Sequence, residues 1–127
     1  RYADHPSVCS WSGVHQPEDF AQRARDFDWT TLDAVYFRTD RIAIPALAWF
    51  RERGIRIPDD LEVISFDNFP FSQHTMPSLS SWDLGMVRLA HRANEHLIRW
   101  MKDDLEPPSW EQIQPQFMAR SSHRGSV

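Results

Sequence analysis

Apolar and polar positions along this chain repeat with two different periods, and the places where the period changes mark its elements. Pro6 to Trp11 reads as a short strand that ends in a loop around Gly13. Phe20, Ala24 and Phe27 then recur at three- to four-residue spacing, one face of a helix from Pro17 to about Phe27. Pro17 suits a first helical turn, and Glu18 and Asp19 complement the positive end of the helix dipole. Asp33 to Phe37 is β-branched and aromatic between polar neighbours, the mark of a buried strand. A second helix is predicted from about Asp40 to Arg53, with Ala43, Leu47 and Phe50 in one stripe and Gly54 as its left-handed stop. Pro45 falls inside it, where the missing N–H should bend the first turns. Leu61 to Phe66 is a strand after the Ile57–Asp60 turn, and Asp67 to Pro77 is loop. Leu79 to Trp82 is extended. From about Gly85 to Lys102, Met86, Leu89, Ala90, Ala93, Leu97 and Met101 mark an amphipathic helix. Pro107 and Pro108 break the chain, and Gln112 to Ala119 is a last strand that Pro115 pushes toward an edge.

Strands and helices that alternate in this way predict an α/β fold: a mostly parallel sheet with right-handed crossovers and helices on both faces. In such sheets ligands bind outside the carboxyl ends of the strands. Those ends carry Trp11 and Ser12, then Thr39 and Asp40, then Asp67 and Asn68. The residues lie far apart in sequence, yet the topology gathers them at one edge.

Composition narrows the function classes. Of 127 residues, 41% are hydrophobic and 25% charged, which excludes disorder and fits a globular chain with a real core. The net charge is −4 with no basic stripe, so the segment is not expected to grip nucleic acid by itself. A lone Cys9 rules out an internal disulfide and suits a reducing compartment. No stretch approaches the roughly 20 apolar residues that span a bilayer. The chain opens on Arg1 without a signal-like stretch and is expected to be a segment of a longer protein. His91 and His96 are five apart and do not share a helix face, so no metal site is expected. Cys9 to Gly13 lacks the leading Gly of a nucleophile elbow, and no phosphate-cradling Gly-rich loop exists, so no enzyme and no cofactor are expected.

Residues 33–79 carry a detailed resemblance. Asp33 to Leu47 is similar to the strand, Asn-Asp pair and helix of LacI/GalR-type bacterial transcription regulators. Arg53 to Asn68 resembles their "RGxxVPxDxxVxGFDN" pattern, Thr75 to Ser81 the "PxLTT" segment, and Arg120-Ser121-Ser122 the "RxS" ending. The match is ungapped from about Asp33 to Ala93. It departs at three places: Thr39 stands for the usual Asn, Pro45 for a Gly and Ser65 for a Gly.

The resemblance implies the type I fold of periplasmic binding proteins, split into two subdomains with the effector between them. Residues 1–77 and 110–122 would form the C-terminal subdomain, and about 80–105 would cross to the N-terminal one. The helix-turn-helix that reads operator DNA would lie outside this chain. A sugar or similar small effector, a homodimer and a cytoplasmic setting follow from the same likeness. The alternative is a periplasmic sugar-binding protein of a transport system, which shares the fold.

The resemblance assigns effector contact to Asp67, Trp11, Asp40, Thr39 and Met86, and each has a plainer reading. Asp67 matches the family's effector-binding carboxylate, which can accept two charge-assisted hydrogen bonds, or it caps its own loop. Asp40 and Thr39 are either contacts or helix caps. Trp11 either stacks on a ligand face or packs in a core. Met86 is either a pocket wall or a core residue of its helix. A dimer contact is expected from Ile44, Leu47 and Ala48 on one helix face with Phe69, Phe71, His74 and Thr75 in the loop, against local packing as the alternative.

Overall fold

A computed structural model describes residues 9–102 and 112–125. Its elements are α1 (Pro17–Ala24), a 3-10 turn (Trp29–Thr31), β1 (Ala34–Tyr36), α2 (Asp40–Glu52), β2 (Glu62–Phe66), a second 3-10 turn (Pro70–His74), β3 (Ser80–Asp83), α3 (Met86–Met101) and β4 (Gln116–Met118). Most of the expected elements are present. The predicted first strand begins outside the described residues, and Cys9 to Trp11 form no strand. Pro107 and Pro108 also lie outside them.

The four strands form one sheet in the order β1-β2-β3-β4. β1 and β2 are parallel, with Val35 opposite Val63, and β2 and β3 are parallel, with Ser65 opposite Ser81. β4 runs antiparallel to β3, with Phe117 opposite Trp82. The mostly parallel α/β sheet is therefore as the alternation implied.

Successive side chains on a strand point to opposite faces. Val63 and Ser65 face α2 and are buried, while Glu62, Ile64 and Phe66 face the other way. The helical side holds the core: Phe20 and Ala24 from α1, Ile42, Ala43, Ala46, Leu47 and Phe50 from α2, and Leu61, Val63 and Leu79 from the strands and their flanks. On the opposite side an aromatic row crosses the sheet, Tyr36 edge-on to Phe66 at 5.5 Å, then Phe66 to Trp82 at 6.3 Å and Trp82 to Phe117 at 5.1 Å.

α2 runs through Pro45 without a break, tolerating one absent hydrogen bond. It ends in a Schellman turn: Gly54 has φ +75°, its N–H reaches the Arg51 carbonyl, and the Ile55 N–H reaches Phe50. Ile55 then packs on the core, which aims the chain toward β2.

α3 differs from the other helices. None of its 16 residues is buried, and Met86, Val87, Leu89, Leu97, Ile98, Trp100 and Met101 are all exposed apolar groups. The amphipathic helix read from the sequence is present, but the described residues supply no core for its apolar side.

Candidate functional site

Beyond the carboxyl ends of β1 and β2 lies a compact polar constellation. Thr39 is the N-cap of α2: its Oγ1 accepts the Arg41 N–H at 3.3 Å and donates to Asp67 Oδ2 at 2.6 Å. A hydroxyl has one proton, so Thr39 spends it on Asp67. Asp67 sits at φ 100° and Asn68 at φ 50°. The left-handed region is unfavourable for residues other than Gly and accepts Asn and Asp best. Two such residues in succession turn the chain sharply off β2 and hold the half-buried Asp67 carboxylate at the strand end. The Asp67 N–H is fixed by the Trp82 carbonyl at 3.0 Å. Among the described residues, Asp67 Oδ1 receives no donor.

Tyr36 is the neighbouring ionisable group. Burial, and then the negative charge of Asp67, push its phenol above the ordinary value of 10.0.

Asp40 is placed differently. It is fully buried, and three groups of the protein donate to it: the Phe69 N–H at 2.8 Å, the Ser81 hydroxyl at 2.7 Å, and the Ser72 hydroxyl. Its carboxylate thus pins the loop after β2 and the start of β3 to the N-terminus of α2. The dipole of that helix also favours the charge. The geometry makes Asp40 a lock that shapes the site from behind.

Trp11 lies in an aromatic cluster, edge-on to Phe27 at 5.2 Å and to Trp29 at 5.7 Å, with Phe20 at 6.3 Å. Arg23 anchors the next residue by donating to the Ser12 carbonyl at 2.6 Å. Met86 opens α3 and is 59% exposed. The structure therefore brings Thr39, Asp40 and Asp67 together, while Trp11 belongs to the packing of α1 and Met86 to the exposed helix.

The surface expected to pair two copies is heterogeneous. Leu47 is 3% exposed and part of the core, so its side chain cannot form that surface. Ile44 and Ala48 are half-buried beside it. Phe69, Phe71 and His74 are exposed, and Thr75 is half-buried with its hydroxyl against the Ser72 and Pro77 carbonyls.

Several residues of the site received no structural role from the sequence, although Ser81, Arg120 and Ser122 lie in segments that carry the resemblance. Ser72 and Ser81 hold Asp40. Ser122 is inserted between strands: its Oγ donates to the Val63 carbonyl at 2.5 Å and accepts the Ser80 N–H at 2.8 Å. Arg120 donates to the Leu79 carbonyl and to Asn68 Oδ1, both at 2.6 Å. The Arg-x-Ser ending is thus a clasp over the strand ends. Ser65 Oγ is buried and unpaired among the described residues. Among these residues, no group of three or more His, Cys, Asp or Glu could hold a metal ion, and no helix is long and apolar enough to cross a membrane.

A family model for the periplasmic binding protein-like domain matches residues 2–123. The chain belongs to that family. As a periplasmic binding protein-like chain it resembles the effector-binding domains of LacI/GalR-type regulators. It is 29% identical over 89 residues to the HTH-type transcriptional repressor PurR of Vibrio atlanticus, covering 70% of this chain and 27% of that protein. A LacI-type transcription regulator from Bifidobacterium animalis superposes with a TM-score of 0.70 at 27% identity, over 85% of this chain and 37% of that one. The Escherichia coli transcriptional repressor ascG gives a TM-score of 0.76 at 24% identity, over 95% and 46%. The chain thus spans about a quarter of the PurR relative and less than half of either solved chain. This periplasmic binding protein-like sheet carries its polar constellation where open parallel sheets receive ligands.

Proposed function

We propose that this chain is the ligand-sensing part of a LacI/GalR-type transcription regulator, and that a small hydroxyl-rich effector, a sugar or similar metabolite, is held by Asp67. The observation that carries the reading is the Asp67 carboxylate, fixed by Thr39 at a strand end, whose Oδ1 meets no donor among the described residues. A carboxylate oxygen presented in a partly buried site forms charge-assisted hydrogen bonds of the kind that hold hydroxyl groups. The names of the relatives, which are transcription regulators, support the regulatory role.

On this reading residues 1–77 and 110–122 form one lobe, which β3 (Ser80–Asp83) shares through its pairing with β2, and the chain crosses to a second lobe after it, along α3. The exposed apolar side of α3 supports that division, because Leu89, Leu97 and Met101 need a partner surface. Met86 joins Asp67 in the cleft when the lobes close, and the half-buried Trp11 borders it with the face that its aromatic cluster leaves uncovered. Operator DNA is contacted by a helix-turn-helix outside these residues, in a cytoplasmic homodimer built partly on Phe69, Phe71 and His74. The effector acts by binding one of two cleft conformations more tightly than the other. A periplasmic sugar-binding protein of a transport system has less support, since the matched relatives are named as regulators.

Screening a panel of monosaccharides, disaccharides and nucleobases by thermal shift tests the proposal. The expected result is a stabilising ligand whose effect Asp67→Asn reduces at the same ligand concentration. A ligand that stabilises Asp67→Asn as much as the wild type contradicts it.

A further inference from the structure

α3 leaves the sheet without burying a single side chain among the described residues, so the core beneath this sheet does not set its direction. The direction is set where β3 ends, in the turn Asp83–Gly85. There Asp83 Oδ1 accepts the Gly85 N–H at 2.7 Å, and Gly85 takes φ +67°. Arg88 adds a second tie through the Gln114 carbonyl at 3.5 Å. A Cβ at position 85 would meet Ile113 Cγ2 at 2.9 Å, so the turn is closely enclosed.

The other oxygen of Asp83 accepts from Asn68 Nδ2 at 3.4 Å. Asn68 Oδ1 in turn accepts the Arg120 guanidinium at 2.6 Å, and the Asn68 N–H donates to Ser81 Oγ at 3.0 Å. Three hydrogen-bonding groups of one residue thus reach three segments: the β3 strand, the exit turn and the segment after β4. The amide can adopt only this orientation. Turned over, it would face its NH2 to a guanidinium and its oxygen to a carboxylate. Asn68 also directly follows Asp67, and both hold left-handed backbone angles.

We infer that Asn68 is a positioning residue that couples the strand-end site to the direction of α3. Any displacement of Asp67 rotates the shared peptide plane and moves the amide that spans Arg120 and Asp83. The exit turn then follows, and α3 with it. The inference rests on the proposed ligand site for its regulatory meaning, but its geometry stands without a ligand.

The test is a spin-label distance between cysteines replacing Arg51 on α2 and Asn94 on α3, both exposed, with Cys9→Ser to remove the natural thiol. Asn68→Asp keeps the left-handed preference but sets a carboxylate against Asp83. Asp83→Asn sets amide against amide. The double variant Asn68→Asp/Asp83→Asn rebuilds the chain with donor and acceptor exchanged. Each single variant is expected to displace or broaden the distance distribution, and the double variant to recover it. Unchanged single variants with intact unfolding transitions, or a double variant that fails to recover, overturn the inference. If Asn68→Asp does not fold, Asp83→Asn compared with the wild type and the double variant decides the matter. No ligand enters this measurement, so its failure would leave the reading of Asp67 untouched, and the reverse also holds.

Discussion

Thr39 and Asp67 stand 28 positions apart and meet through one 2.6 Å hydrogen bond that joins the cap of α2 to the end of β2. The bond makes the helix start and the candidate ligand group a single unit. Thr39→Val should remove both the cap and the tether, lowering stability by about 0.5–2 kcal/mol. Thr39→Ser retains the hydroxyl and should stay near wild type. Urea denaturation of the two variants, read as a change in midpoint at constant slope, measures the difference.

Asp40 serves the same corner from inside. Removing its carboxylate as Asp40→Ala leaves the Phe69 N–H and the O–H donors of Ser72 and Ser81 without their acceptor. Hydrogen bonds to charged groups contribute about 1.5–3 kcal/mol each, so a loss of about 3 kcal/mol or more is expected. Asp40→Asn should lose less, since its amide oxygen still accepts. An Asp40→Ala variant with unaltered unfolding would show that the carboxylate is not the lock.

Ser65 gives the opposite sign. Its hydroxyl is buried and finds no partner among the described residues. Ser65→Ala removes a desolvated polar group at almost no change of volume and should raise stability by about 1 kcal/mol. Calorimetric unfolding of the purified variant checks this; destabilisation would mean that the hydroxyl has a partner after all.

Much of this arrangement left a trace in the sequence, and the rest could not have. α2 and its Gly54 stop, β2, and the cap residue Thr39 come from local chemistry that periodicity and end preferences report. The roles of Asp40, Ser72, Ser81 and Ser122 come from single hydrogen bonds across 32 to 59 positions. A serine that meets a carboxylate or a carbonyl after folding has no period of its own. Leu47 shows the limit of stripe reading: periodicity put it on an apolar face but could not say whether that face met the sheet or a second subunit. Trp11 was placed by its position beyond a strand, and what the structure adds is the aromatic cluster that Phe20, Phe27 and Trp29 build around it.

Acid should weaken the turn that Arg56 and Asp60 close. The Arg56 side chain, by hydrogen bonding, and then the Arg56 N–H hold Asp60 at a pKa of about 2, down from 3.8. A depressed carboxylate favours the fold above its unfolded pKa. That contribution is lost as pH falls through the interval from 3.8 toward about 2. Arg56→Gln should return Asp60 toward 3.8 in a carboxyl NMR titration, and an unmoved titration would break the assignment.

The dimer proposal depends on exposed residues rather than on Leu47. Phe71 is 73% exposed, so Phe71→Glu should leave the fold intact while weakening self-association, as seen by sedimentation equilibrium. Equal association constants for variant and wild type would remove this loop from the interface.

The central claim is that Asp67 holds the effector. Titration calorimetry with the ligand selected by the thermal-shift panel measures it most directly, on the wild type and on Asp67→Asn with matched unfolding transitions. Loss of one charge-assisted hydrogen bond predicts binding weaker by about 1.5–3 kcal/mol, roughly 10- to 150-fold in Kd. Wild-type affinity in a folded Asp67→Asn protein would contradict the account and leave Asp67 as the cap of its own loop.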